Sequence, residues 1–388
     1  MKSAYHQTWL HNLQITKTAK HWLKHDLIGE QEFSAIKSAY VSGLYHPNFL
    51  IRILLFIAAT IALGGVTGML ALFVGDSGQA VLSVLCLLYG VGSFVFLDRV
   101  FIGNLRHYKS GVNEAILYHA IGFTIGGMLG LSDFNEHLGI IVCLVVFSAA
   151  AYRYIDLVST VCALASLAYL IFFELYQVGG IFQQIIPLVF IILFTPLYFF
   201  IRKLKESLTT DPWSPCLILL ESLCLLLIYA AGNYLVVREL SVSLMDLYLE
   251  EGQDIPFAYL FYGLTVIIPV AYLYFGIKNR NVVLLRVSLL VIAFSVFTFK
   301  YYYSLGHHEI TFTIGGSILV LLSLYLFRFL KSPKAGFTAE NILSSKWSNL
   351  QAEAFIISQT LGGNKAQADV PSQGGGGSFS GGGSTDAF

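Results

Sequence analysis

The stretch that decides the fold is Leu50–Val74, LIRILLFIAATIALGGVTGMLALFV, 25 residues with one charge, Arg52. A bilayer-spanning helix needs roughly 20 mostly apolar residues. The run is apolar on every face, whereas barrel strands alternate over about ten residues, so it reads as a transmembrane helix whose backbone bonds itself. Similar runs follow at about Ala80–Leu97, Glu114–Leu131, Leu138–Tyr154, Leu157–Phe173, Ile185–Ile201, Leu217–Val237, Phe257–Gly276, Val283–Ser304 and Ile310–Leu330. The expected fold is therefore all-α, a polytopic bundle of about ten spans over residues 50–331.

Composition agrees. Of 388 residues 56% are hydrophobic and 12% charged, against about 25% charged in a soluble chain. The net charge of zero lacks the basic excess of a nucleic-acid partner. Basic side chains in short loops stay on the cytoplasmic side. With ten spans and the N-terminus inside, every Lys and Arg falls on that side except Arg238, Arg286 and Lys300. Both termini are thus expected in the cytoplasm. No signal-peptide core is expected in residues 1–49, which carry Lys2, Lys17, Lys20, Lys24 and Lys37. The five cysteines have no zinc or CxxC spacing and read as packing residues.

Residues 1–49 show helical periodicity through Trp9, Leu10, Leu13, Ala19, Trp22 and Leu23, a break at His25–Gly29 and a second helix to Tyr40. This hairpin is expected to pack on its own bundle or to meet a partner at the membrane surface. Another amphipathic helix is expected within 332–363, over Thr338–Leu361, with Ile342, Leu343, Trp347, Leu350, Ala354 and Ile357 at helical spacing. Residues 364–388 end in PSQGGGGSFSGGGSTDAF, from Pro371 to Phe388, a composition expected to form a flexible tail. Phe379 and Phe388 make that tail a second candidate docking element.

The segment Trp22–Ile36, WLKHDLIGEQEFSAI, followed by dense spans, resembles a family of bacterial membrane proteins of unknown function that open with a short helical hairpin. Gly29 follows Ile28 here, the reverse of the family's order. The resemblance implies a multi-pass protein of the bacterial inner (cytoplasmic) membrane and carries no activity with it.

Charges inside a bilayer are costly and mark buried pairs or function. Glu221 and Arg286 lie near the same end of two spans and are expected to pair if those spans touch. His119 and Asn233 are the other intramembrane polar candidates, each read first as an interhelical hydrogen-bond partner. Lys300, beside Tyr301–Tyr303, fits an interfacial aromatic belt. The His307-His308-Glu309 run carries metal-competent groups without a third convergent position, so no metal is assigned. The loop after Arg238 is expected to form a surface helix through Leu240, Leu244, Leu247 and Tyr248, with Asp246, Glu250, Glu251 and Asp254 as an acidic outer rim. Asp98-Arg99 and Tyr152–Asp156 read as local ion pairs. Pro187, Pro196 and Pro269 interrupt two spans, as in transporters, and Gly122, Gly126, Gly127 and Gly130 suggest a packing face. There is no hydrolase, P-loop or zincin motif, so neither an enzyme nor a cofactor is expected. The expected function is a secondary transporter or permease of unknown solute; the competing expectation is a scaffold or subunit of a membrane complex.

Overall fold

The computed structural model describes residues 3–74, 78–207, 212–244 and 253–302, with isolated positions between 313 and 328. The chain is all-helical over those residues. An N-terminal hairpin, α1 (Gln7–Lys24) and α2 (Glu30–Ala39), precedes α3 (Phe49–Val74), α4 (Gln79–Phe96), α5 (Val112–Leu131), α6 (Glu136–Tyr154), α7 (Leu157–Val178) and α8 (Ile181–Ser207). Then come α9 (Ser214–Gly232), the short α10 (Tyr234–Leu244), α11 (Ala258–Lys278) and α12 (Val282–Tyr302). Nine of these, α3–α9, α11 and α12, are long and apolar enough to cross a bilayer. Of the expected tenth span only isolated positions such as Thr313, Val320 and Tyr325 are described, and these are helical. The expected helix at 338–361, the tail and His307–Glu309 lie outside the described residues.

Side-chain caps set several boundaries. Asn135 accepts from the Leu138 amide to start α6, and Asp156 accepts from the Ser159 amide at 2.7 Å to start α7. Between them only Ile155, at φ +55°, and Asp156 intervene, so α6 and α7 pack as a tight antiparallel pair. The expected seventh span, Leu217–Val237, is in fact broken at Asn233. Its Oδ1 accepts from the Val236 amide, which ends α9 and begins α10. The surface helix expected from Leu240 therefore starts earlier, at Tyr234.

Two helices act as hubs. α5 packs against α3, α4 and α6, whereas α9 packs against α7, α8, α10, α11 and α12. Each half has its own apolar core. One runs through Leu97, Ile116, Leu117, Ile121 and Tyr154. The other runs through Phe194, Cys224, Leu225, Ile228 and Val291. The glycine face of α5 divides: Gly127 and Gly130 lie against α4 at Ser83 and Leu87, while Gly122 and Gly126 border open space.

The hairpin packs on its own bundle. Leu10 and Leu13 enter the first core, and Ala19, Ile28 and Ile36 form a small core between α1 and α2. Two backbone hydrogen bonds, Tyr45 N–H to Arg106 O and Tyr108 N–H to Tyr45 O, both 2.9 Å, strap the segment after α2 to the α4–α5 loop. The Arg106 guanidinium lies 4.7 Å from the Trp9 ring centre. The Tyr5 hydroxyl accepts from Asn113 at 3.2 Å, and burial pushes its pKa well above the ordinary tyrosine value. The hairpin thus marks one end of the bundle, called here the hairpin end.

Candidate functional site: the buried carboxylate of α9

α9 starts at the hairpin end, and Glu221 lies two turns into it with a side chain 0% exposed. Its Oε2 is bound by the Lys205 ammonium from the last turn of α8. Its Oε1 accepts from Asn281 Nδ2 at 2.8 Å. Asn281 is itself fixed, because its Oδ1 accepts from the Val283 and Leu284 amides at 2.9 and 3.1 Å and so caps α12. Two of the carboxylate's neighbours therefore come from different helices, and both contacts are made by side chains. Tyr198, two turns before Lys205 on α8, brings a buried hydroxyl close to Asn281, Arg202 and Glu221 without a well-formed hydrogen bond. An ion this deep costs several kcal/mol unless paired, which is the role Lys205 fills.

The expected Glu221–Arg286 pair does not form, although α9 and α12 do pack together. α12 turns Leu284, Val287, Ser288 and Val291 inward, which leaves Arg286 on the exposed face with no ion pair among the described residues. The sequence does not single out the actual partners. Lys205 sits in the basic run Arg202-Lys203-Leu204-Lys205, which has the composition of a cytoplasmic span end. Asn281 ends a short Asn279-Arg280-Asn281 turn between two spans, which is where a cap belongs.

The far end of α9 holds a second buried polar group. Asn233 donates from Nδ2 to Tyr229 Oη and Thr298 Oγ1, both at 2.9 Å. Thr265 Oγ1 accepts from the Tyr234 amide at 2.9 Å, and Ser295 donates to the Thr265 carbonyl at 2.9 Å. α9 is thereby tied by polar contacts to α12 and, through the first residue of α10, to α11.

The remaining candidates are scattered. His119 Nε2 lies 3.2 Å from Tyr89 Oη, between α5 and α4. Lys300 is half-buried near the end of α12. Asp246, Glu250 and Glu251 lie outside the described residues. Asp254 accepts from Tyr234 Oη (2.6 Å), Tyr262 Oη (3.0 Å) and the Ile255 amide (2.8 Å), so its oxygens are engaged by the protein. Burial raises its pKa, but these hydrogen bonds and nearby Arg238 outweigh that and hold it below the ordinary value. The two local ion pairs expected from sequence are also replaced. Arg153 reaches across to Asp98, which a π-helical continuation of α4 over Leu97–Asn104 turns toward α6. Asp156 caps α7 and accepts from Tyr118 at 3.0 Å.

The chain matches no protein-family model, no curated protein and no solved structure. Fold and site alone define its class, a multi-pass integral membrane protein of α-helical type. Among the described residues its most deeply buried carboxylate is Glu221 on α9.

Proposed function

We propose that this protein is a secondary transporter or permease of the bacterial inner membrane, with the hairpin end in the cytoplasm and the solute path in the α7–α12 half. The observation that carries the reading is the Glu221 carboxylate, fully buried and held by side chains from α8 and the start of α12. With Asn281 fixed as a cap, the carboxylate can trade the Lys205 ammonium, carried on a long side chain, for a proton or a cationic partner while every backbone hydrogen bond stays in place. The helices around it can bend, because Pro187 and Pro196 in α8 and Pro269 in α11 each remove an i→i−4 bond. The distribution of Lys and Arg supports the orientation, and the resemblance of the N-terminal segment supports the bacterial setting.

The scaffold reading draws on α3, whose most apolar stretch contains no buried residue and whose Gly64, Gly65 and Gly68 border open space. Cys224, fully buried one turn beyond Glu221, separates the two readings. With Cys86, Cys143, Cys162 and Cys216 replaced by serine, a transporter exposes Cys224 in membrane vesicles to a charged, impermeant thiosulfonate from one face, and Glu221→Gln changes that rate. A scaffold leaves Cys224 unreactive until the protein is denatured.

A further inference from the structure

The groups around Glu221 restrict which ion can take the place of Lys205. Both side chains bonded to the carboxylate are hydrogen-bond donors, the Lys205 ammonium at Oε2 and Asn281 Nδ2 at Oε1. The Asn281 Oδ1 is occupied by the Val283 and Leu284 amides. Arg202, the other cation nearby on α8, is held by Glu206 at 3.0 Å. A hard metal cation collects about six or more oxygen ligands, and neither an ammonium nor a guanidinium offers a lone pair. The other helices add little. α7 brings Leu164, and α11 brings Tyr272, whose hydroxyl donates to the Leu225 carbonyl at 3.0 Å. Cys224 lies nearby on α9 itself, and Arg286 of α12 is on the exposed face.

Tyr198 is the exception. Its side chain is 5% exposed and its Oη, close to Glu221, has no well-formed hydrogen bond. A buried hydroxyl left in that state is costly, so a second state in which it is bonded repays its position. An ionised Glu221 only accepts, whereas a neutral carboxyl carries an O–H that needs an acceptor. Among the described side chains close to Glu221, Tyr198 Oη is the oxygen with lone pairs to offer. The same surroundings that lack ligands for a metal ion therefore hold the one partner that a protonated carboxyl requires.

We propose, on the transport reading of this site, that the ion exchanged for Lys205 is a proton, bound by Glu221 with the new O–H donating to Tyr198 Oη. The proton comes from water at the hairpin end and its bond forms on the carboxylate. Lys205 keeps its own protons and swings outward, where its side chain is already part-exposed. Infrared difference spectra of the purified full-length protein between neutral and acidic buffer test this. Wild type gains a protonated-carboxyl band that Glu221→Gln lacks; if that variant does not fold, Glu221→Asp assigns the band by displacing it. At the pH where wild type is half protonated, the band is the same in sodium, potassium and choline at equal ionic strength. Tyr198→Phe lowers the protonated-to-ionised ratio at that pH about tenfold, the value of one buried hydrogen bond. Suppression of the band by sodium overturns the proposal, because a metal ion then competes for the carboxylate. An unchanged or stronger band in Tyr198→Phe also overturns it, because the hydroxyl then serves the ionised form or neither. Absence of any Glu221 band before acid unfolding does the same. If Tyr198→Phe does not fold, the sodium comparison on wild type still decides. Cys224 labelling reports on the transport reading separately, so labelling from one face without a Glu221 band fails this proposal alone.

Discussion

α5 and α9 meet the same physical problem in two ways. Both begin at the hairpin end, both act as the hub of their half, and both bury a glutamate within two turns of their start. Glu114 is tied to backbone. Its Oε2 accepts from the Gly111 amide at 2.7 Å, as in a capping box, and its Oε1 meets Arg52 at 2.7 Å. Glu221 is held by the side chains of Lys205 and Asn281. The helix contacts differ in the same sense. A Cβ on Gly127 of α5 meets the Leu87 amide nitrogen at 2.6 Å and the Ser83 carbonyl at 2.8 Å, which is backbone against backbone. A Cβ on Gly232 of α9 meets the tip of Ile268, a side chain that can rotate away. At these two hubs the Gly127 contact joins backbones that cannot move separately, whereas the Lys205 and Ile268 side chains can move on their own. A buried charge that must change partners belongs in the second kind of structure.

The largest effect that would break this contrast is the loss of a basic partner. Lys205→Met leaves Glu221 buried with no countercharge and only its Asn281 hydrogen bond, and removing one member of such a pair costs about 3–5 kcal/mol. Arg52→Met leaves Glu114 with its amide partner, and the expected cost is nearer 1–3 kcal/mol. Thermal unfolding in detergent, monitored by size-exclusion fluorescence, ranks the two. Adding Glu221→Leu to Lys205→Met should recover most of the loss. Equal destabilisation by the two single variants would show that the backbone tie on Glu114 contributes nothing.

Smaller effects sharpen the same contrast through the glycines. Gly127→Ala forces α4 and α5 apart, at about 1–3 kcal/mol for overpacking. Gly232→Ala asks only for a rotamer change at Ile268, about 0.5–1.5 kcal/mol. Melting temperatures of the two alanine variants compare them directly. If Gly232→Ala is the worse of the two, α9 packs more tightly than its side-chain contacts imply.

The spans were legible because lipid exposure demands long apolar runs and leaves little else for the sequence to say. The hairpin was legible for a related reason: Leu10, Leu13 and Ala19 repeat at helical spacing, and these are buried residues of α1. Glu221 stood out because a carboxylate in such a run needs a partner. Which partner it has was not legible. Periodicity places residues along a helix but does not fix its rotation against neighbours, and that rotation turns Arg286 outward while Asn281 and Lys205 face in. The break at Asn233 was hidden similarly, because an apolar run continues past it to Val237 and only the side-chain cap divides α9 from α10. The π-helical turns at Leu97–Asn104 have no signature in hydropathy, so Asp98 reads as the neighbour of Arg99 and not of Arg153.

The smallest expected effect concerns the hairpin, which is tied to the rigid half through groups that titrate. The His107 ring lies 4.8 Å from Tyr45 and 5.5 Å from Phe101, and its Nδ1 is 2.9 Å from Ser110 Oγ. Ser110 donates to Asn113, which in turn holds the Tyr5 hydroxyl. Burial pushes the pKa of His107 down, and burial together with Lys17 does the same for His46. A histidine whose folded pKa is depressed takes up its proton more readily when released. Its contribution to docking is therefore complete above about pH 6.5 and is lost as pH falls through the lower, folded value. Hydrogen exchange at the α1 amides, corrected for intrinsic pH dependence, should rise as pH is lowered from about 7.5 to 5.5. The α4 and α5 amides, tied by the glycine contacts, should not change. His107→Gln keeps a hydrogen-bonding side chain without a titrating one and should reduce the rise to the part carried by His46. Parallel increases in α1 and α5 would mean that acid loosens the whole first half, and that backbone contacts alone do not make it rigid.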